Sequence, residues 1–92
     1  MSLASKHLSL QGRVQGVGFR YFTLRQAQRH QISGWVRNMP DGSVEIRAQG
    51  QPANLQAFID AVLQGPAFGE VHQHDVRDVA TEVGLQGFTI KH

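Results

Sequence analysis

Two places in this 92-residue chain combine residue types that can do chemistry. The first is Gly12-Arg13-Val14-Gln15-Gly16-Val17-Gly18-Phe19-Arg20. Glycine permits positive φ, so glycines at this spacing let successive N–H groups turn onto one point. A concave run of amides of that kind is an anion nest. If a helix begins near Arg20, its free N–H groups and the positive end of its dipole face the same point. A cation in a helix's first turn opposes the dipole, so Arg20 makes sense where an anion sits between the two positive groups. Its guanidinium fork matches phosphate oxygens. The plainer reading is a tight-turning loop with a solvated arginine, and glycine spacing alone leaves both readings open.

The second place is Asn38. Its neutral amide can hold a water by accepting one hydrogen bond, but it is no strong base. Beside a phosphate cradle that is enough for phosphoryl transfer to water, where positioning and charge stabilisation supply most of the catalysis. A carboxylate leaves without a general acid. An alkoxide would need one, and no candidate stands near this site. The alternative for Asn38 is a plain turn residue, because Pro40-Asp41-Gly42 follows it.

These residues need elements to position them. His7 to Gln11 alternates polar and apolar, which fits a first strand. Arg20 to about Gln31 has no Gly or Pro and reads as a helix, with Phe19, Phe22, Thr23, Ala27 and His30 on one face. Ile32–Asn38 and Ser43–Gln49 are two strands of a hairpin closed by Pro40-Asp41-Gly42. A second helix opens at Gln51-Pro52 and ends at Gly65-Pro66. Its Leu55, Phe58, Ile59, Val62 and Leu63 form a core-facing stripe. Val71–Val79 is a fourth strand whose broken alternation points to a bulge or an exposed edge. Gly84–Gly87 is a loop before a short strand, Phe88–Ile90. Residues 1–5 read as a loose terminus ahead of a single domain.

The order strand, helix, strand, strand, helix, strand is the split βαββαβ arrangement of an α+β, ferredoxin-like sandwich. Its expected form is an antiparallel sheet with two helices on one face and a short extra C-terminal strand. A helix crossover makes the first two long strands parallel, so their C-terminal ends share one edge of the sheet. That brings the glycine loop close to Asn38.

Composition narrows the classes. There is no cysteine, hence no disulfide, thiolate nucleophile or cysteine zinc site. Neither a signal-peptide core nor a membrane-spanning apolar run is present, so a cytoplasmic protein is expected. Net charge is +2, but residues 1–40 carry six cations and no acid. A field of that sign draws anionic ligands, whether a small phosphate compound or a nucleic acid. His72 and His74 share a strand face and offer at most two metal ligands, too few for a site.

The glycine motif ending in Arg20, then Gly34-Trp35-Val36-Arg37-Asn38, Asp41-Gly42-Ser43-Val44-Glu45 and the closing Gly-Phe-x-Ile, resembles acylphosphatase from about Lys6 to Ile90. The resemblance implies an enzyme that hydrolyses acyl phosphates on this same fold. It implies that amides of Gln15, Gly16, Val17, Gly18, Phe19 and Arg20 bind the phosphate. Arg20 holds it by its side chain, and Asn38 orients the attacking water. Arg13 and Arg37 shape a basic rim. Met39 stands where many animal members carry a hydroxyl residue. No metal, no cofactor and no covalent intermediate are implied. The expectation is a monomer acting on a small acyl phosphate, with no nucleic acid or membrane partner. The alternatives are an RNA-binding module, with Trp35 and Phe88 as the aromatics of an open sheet face, and a domain that binds acyl or carbamoyl phosphate without turnover.

Overall fold

The computed structural model describes residues 2–92. The elements are β1 (Ala4–Arg13), α1 (Phe19–His30), β2 (Ser33–Asn38), β3 (Val44–Gly50), α2 (Pro52–Gln64), β4 (Glu70–Asp78) and β5 (Phe88–Lys91). In α2, Pro52 occupies the first turn, where a missing N–H costs nothing. Gly65 closes it at φ 75 with its N–H on the carbonyls of Ala61 and Val62. The α2 stripe is buried at Leu55, Phe58, Ile59 and Val62, while Leu63 is partly buried. On α1 the buried residues are Phe19, Thr23 and Ala27.

The sheet order is β4-β1-β3-β2-β5. β3 lies between β1 and β2, antiparallel to both, so β1 and β2 run parallel as a βαβ crossover requires. Leu8 of β1, Val36 of β2 and Ile46 of β3 align across the sheet, and with Leu10, Val44 and Ala48 they face the two helices. Phe58 and Phe19 are the largest side chains of this core.

The terminus expected to be loose through residue 5 is strand from Ala4 onward. Ala4 pairs with Gly50, and the Ser5 carbonyl accepts from the Val79 N–H. The anchoring partners are distant in sequence, which is why a local pattern misses them. At the other end, β1 runs through Gly12, which is not part of the loop. Gln11 sits opposite Gln73 and Gly12 opposite Val71, so His72 is an extra, bulged residue on β4. A Cβ on Gly12 would stand 2.4 Å from the Glu70 carbonyl oxygen, so this glycine serves close strand approach.

The sheet is mixed, not wholly antiparallel, because β5 pairs parallel with β2. Residues 79–87 form a strap that causes this. It leaves the β4 edge and crosses the face of the sheet opposite the helices. On the way the Ala80 carbonyl accepts from Arg47, Glu82 exchanges two hydrogen bonds with the Gln49 amide, and the Gly87 carbonyl accepts from the Gly34 N–H. The strap arrives where β2 begins, with Phe88 beside Gly34, so β5 can only run alongside β2 in the same direction. Phe88 faces the helices, its ring 6.0 Å from that of Phe58. The open face is therefore left with Trp35, overlain by the cations of Arg37 and Lys91. The two aromatics of an RNA platform lie on opposite sides of the sheet.

The upper open face is bound by charge. Arg37 Nε donates to Glu45 Oε1, and His7 Nε2 lies 2.8 Å from Glu45 Oε2. Desolvation pushes the Glu45 carboxyl up, but its hydrogen bonds with His7 and Arg37 and the nearby charges outweigh that and hold it below its ordinary 4.5. A depressed pKa contributes stability above the unfolded value, and that stability is lost as pH falls through the folded one. Glu45→Gln should lower the unfolding free energy by about 1–2 kcal/mol at neutral pH, and the gap to the parent should narrow as the pH falls below the carboxyl's ordinary range, read by urea titrations at pH 7 and pH 3. Gly34 presents a harder limit. It has φ +144, and a Cβ there would stand 1.8 Å from the Arg47 carbonyl oxygen. Gly34→Ala should cost about 3 kcal/mol or more in the same assay, because strand must separate from strand to admit it.

Candidate active site

β1 delivers the chain to Val14, and α1 takes it up at Phe19. Both side chains are buried, so they anchor the two ends of the loop between them. Val17 packs partly against the same core. Gly16 and Gly18 take left-handed φ of 75 and 77, and nothing lies within 4 Å of where their Cβ atoms would be. Those two glycines serve conformation and openness. Gly18 is also the N-cap of α1, and no side chain caps the helix there. Its carbonyl accepts from Phe22 at 3.0 Å, while the first-turn N–H groups are left without a capping acceptor. No acidic residue stands in that turn. Arg20, its second residue, has no carboxylate within ion-pair reach among the described residues.

Asn38 is the last residue of β2. Side chains alternate along a strand, so Asn38 faces the helices as Val36 does, while Arg37 faces away. One cavity of about 280 Å³ is lined by Gly16, Gly18, Arg20 and Asn38 together, with Val14, Phe19, Tyr21, Ile90 and His92. Arg20 Nη1 lies 3.4 Å from His92 Nδ1. Asn38 Oδ1 is a buried acceptor with no hydrogen-bond partner among the described residues. A buried amide oxygen left unpaired costs about 1–3 kcal/mol, which a water or ligand at this point would recover.

The loop and the asparagine, 18 positions or more apart in the chain, thus meet as the shared sheet edge requires. Of the residues expected at the site, Gly16, Gly18, Phe19, Arg20 and Asn38 line the cavity. Gln15 and Val17 do not. The Gln15 side chain leaves the loop and donates from Nε2 to the carbonyls of Met39 at 2.9 Å and Ser43 at 2.8 Å. Arg37, expected on a basic rim, lies on the opposite face with Glu45, as strand alternation from Asn38 demands. Arg13 pairs in register with Glu70 at the β4 edge. The sequence reading missed Tyr21, Ile90 and His92. The last two arrive because β5 runs parallel to β2 with Lys91 beside Arg37, which carries His92 alongside Asn38. No local signal specifies that pairing. Among the described residues, no three His, Cys, Asp or Glu side chains gather as a metal site, and His72 lies 3.3 Å from Glu70.

Known proteins resemble this chain over most of its length. The acylphosphatase family model matches residues 6–90. An acylphosphatase of Bacillus licheniformis is 46% identical over 81 residues, which is 88% of this chain and 90% of that protein. One of Oceanobacillus iheyensis is 45% identical over 86 residues, covering 92% of this chain and 94% of the relative. The crystal structure of acylphosphatase from Bacillus subtilis matches with a TM-score of 0.93 at 40% identity, over 99% of this chain and 100% of that one.

Proposed function

Since this chain belongs to the acylphosphatase family and is an enzyme that hydrolyses acyl phosphates, we propose that it does so by in-line attack of a water held by Asn38 on a phosphate held by the glycine loop and Arg20. The phosphate of the substrate sits at the start of α1, accepting from amides of residues 15–20. Arg20 bridges two of its oxygens. Asn38 Oδ1 accepts a hydrogen bond from the water, so that the water's own lone pair points at phosphorus. The new P–O bond forms as the bond to the acyl oxygen breaks. The carboxylate leaves with the electron pair, and a phosphate oxygen of the substrate takes the water's proton. No general acid is called for, because a carboxylate is a stable anion at neutral pH. The body of the acyl group is left the rest of the cavity wall, which includes Val14, Tyr21, Ile90 and His92.

The observation that carries this reading is the unpaired, buried oxygen of Asn38 in the same cavity as Arg20 and the left-handed glycines. Arg20 supports it from the other side, being a guanidinium in a positive helix start whose first turn holds no acid. The same reading has residues 1–92 as one domain, working as a cytoplasmic monomer without cofactor. The lack of cysteine suits a reducing compartment.

Steady-state hydrolysis of acetyl phosphate, with inorganic phosphate as competitive inhibitor, tests the two roles. Arg20→Ala should lower kcat/KM by about a hundredfold or more and weaken inhibition by phosphate in parallel. Asn38→Ala should lower kcat by about a hundredfold or more while phosphate inhibits as before, within about threefold. Full turnover by the Asn38 variant would remove the water-holding role.

A further inference from the structure

We infer that the Gln15 side chain is a positioning residue: it locks the phosphate loop to the hairpin that carries Asn38, and so sets the distance between bound phosphorus and attacking water. This rests on the roles proposed above for the loop and for Asn38. The two halves of the site come from separate elements. The loop belongs to the β1–α1 connection, and Asn38 ends β2, at the mouth of the β2–β3 hairpin. Between them, among the described residues, one side chain makes a direct polar link. Gln15 Nε2 has two N–H groups, and both are used: one on the Met39 carbonyl at 2.9 Å, the other on the Ser43 carbonyl at 2.8 Å. Met39 is bonded directly to Asn38 in the chain. Ser43 precedes Val44, the β3 partner of Asn38. The amide thus grips both sides of the turn, one residue beyond the asparagine and its β3 partner.

The hairpin does not need this link to close. The Met39 N–H donates to the Ser43 carbonyl at 2.8 Å, and the Gly42 N–H donates to the Met39 carbonyl at 3.0 Å. Asp41 Oδ1 accepts from both the N–H and the hydroxyl of Ser43. Each carbonyl that Gln15 reaches therefore already has a donor from within the turn. What the glutamine adds is registry between turn and loop. In-line displacement depends steeply on such registry, since a misplacement of about 1 Å can cost about a hundredfold in rate. Two N–H bonds that diverge from one amide nitrogen onto two carbonyls fix orientation as well as distance, which a single bond would not.

Gln15→Met keeps the length of the side chain and removes both donors. Acetyl phosphate turnover should fall by about tenfold or more in kcat, while the inhibition constant of inorganic phosphate moves by less than about threefold. A part in folding alone would lower the thermal midpoint and leave kcat intact below it. Gln15→Asn, which keeps the amide but lacks the reach, should show the same split and serves if the methionine variant folds poorly. Unchanged kcat overturns the inference. So does a parallel rise in the phosphate constant, because the glutamine would then serve the loop alone. Failure of both variants to fold also overturns it, because the bonds would then be a requirement of the hairpin. Asn38→Ala assayed alongside separates the two ideas: if that variant is fully active, the water-holding role fails, whereas an inactive Asn38 variant with a normal Gln15 variant sinks only the role of the glutamine.

Discussion

The molecule depends on holding like-signed groups together with no carboxylate paired to them among the described residues. The start of α1 has no side-chain cap and no acid in its first turn, the loop before it turns through two left-handed glycines, and Arg20 stands in that turn. Left alone, such a cluster would separate or find a carboxylate. It persists because Val14 on one side and Phe19 on the other are sunk in the apolar core and cannot move without opening a cavity. The hydrophobic burial of those two side chains is thus converted into a standing positive potential at one end of the sheet. On the proposed reading, an anion there would complete a set of donors already in place, and little would have to be ordered at the moment of binding.

Asn38 is held by a different logic. It sits where strand alternation puts it on the helix side, one residue beyond an arginine that the same alternation sends to the opposite face. The result divides the charge. Arg37 is neutralised by Glu45 and lies over Trp35, away from the cavity, so the single lining guanidinium is Arg20. The six cations of the first forty residues do not form one basic surface. Lys6 is paired with Asp78, Arg37 with Glu45, and Arg25 lies over Tyr21. Charge along the chain was a fair guide to the sign of the ligand and a poor guide to where the charges would stand.

Much of this was legible in the residues. The α2 stripe, the Pro40-Asp41-Gly42 turn and the order of elements each follow from a local rule, and the order then forces the loop and Asn38 onto one sheet edge. Other features depend on partners far away in the chain. Ala4 is strand because Gly50 is there to pair with it, and Gly12 is needed because Glu70 and His72 press against it. Nothing near Phe88 announces a parallel pairing with β2, so neither Ile90 nor His92 could be placed at the cavity beforehand. Gln15 lay within a recognised motif, yet its side chain acts outside the loop, on carbonyls whose positions no sequence pattern encodes. Arg37 is the exception, since alternation from Asn38 already said it must face away.

The placement of β1 has a kinetic meaning. It is a central strand, and both its neighbours are remote: Leu10 meets Val44, and Lys6 meets Asp78. Each pairing closes a long stretch of chain before it is rewarded, which is the circumstance in which small proteins fold slowly. Since the same strand leads directly into the loop, the proposed anion cradle has no independent existence as a local motif. Its geometry comes into being with the completed sheet and is lost with it.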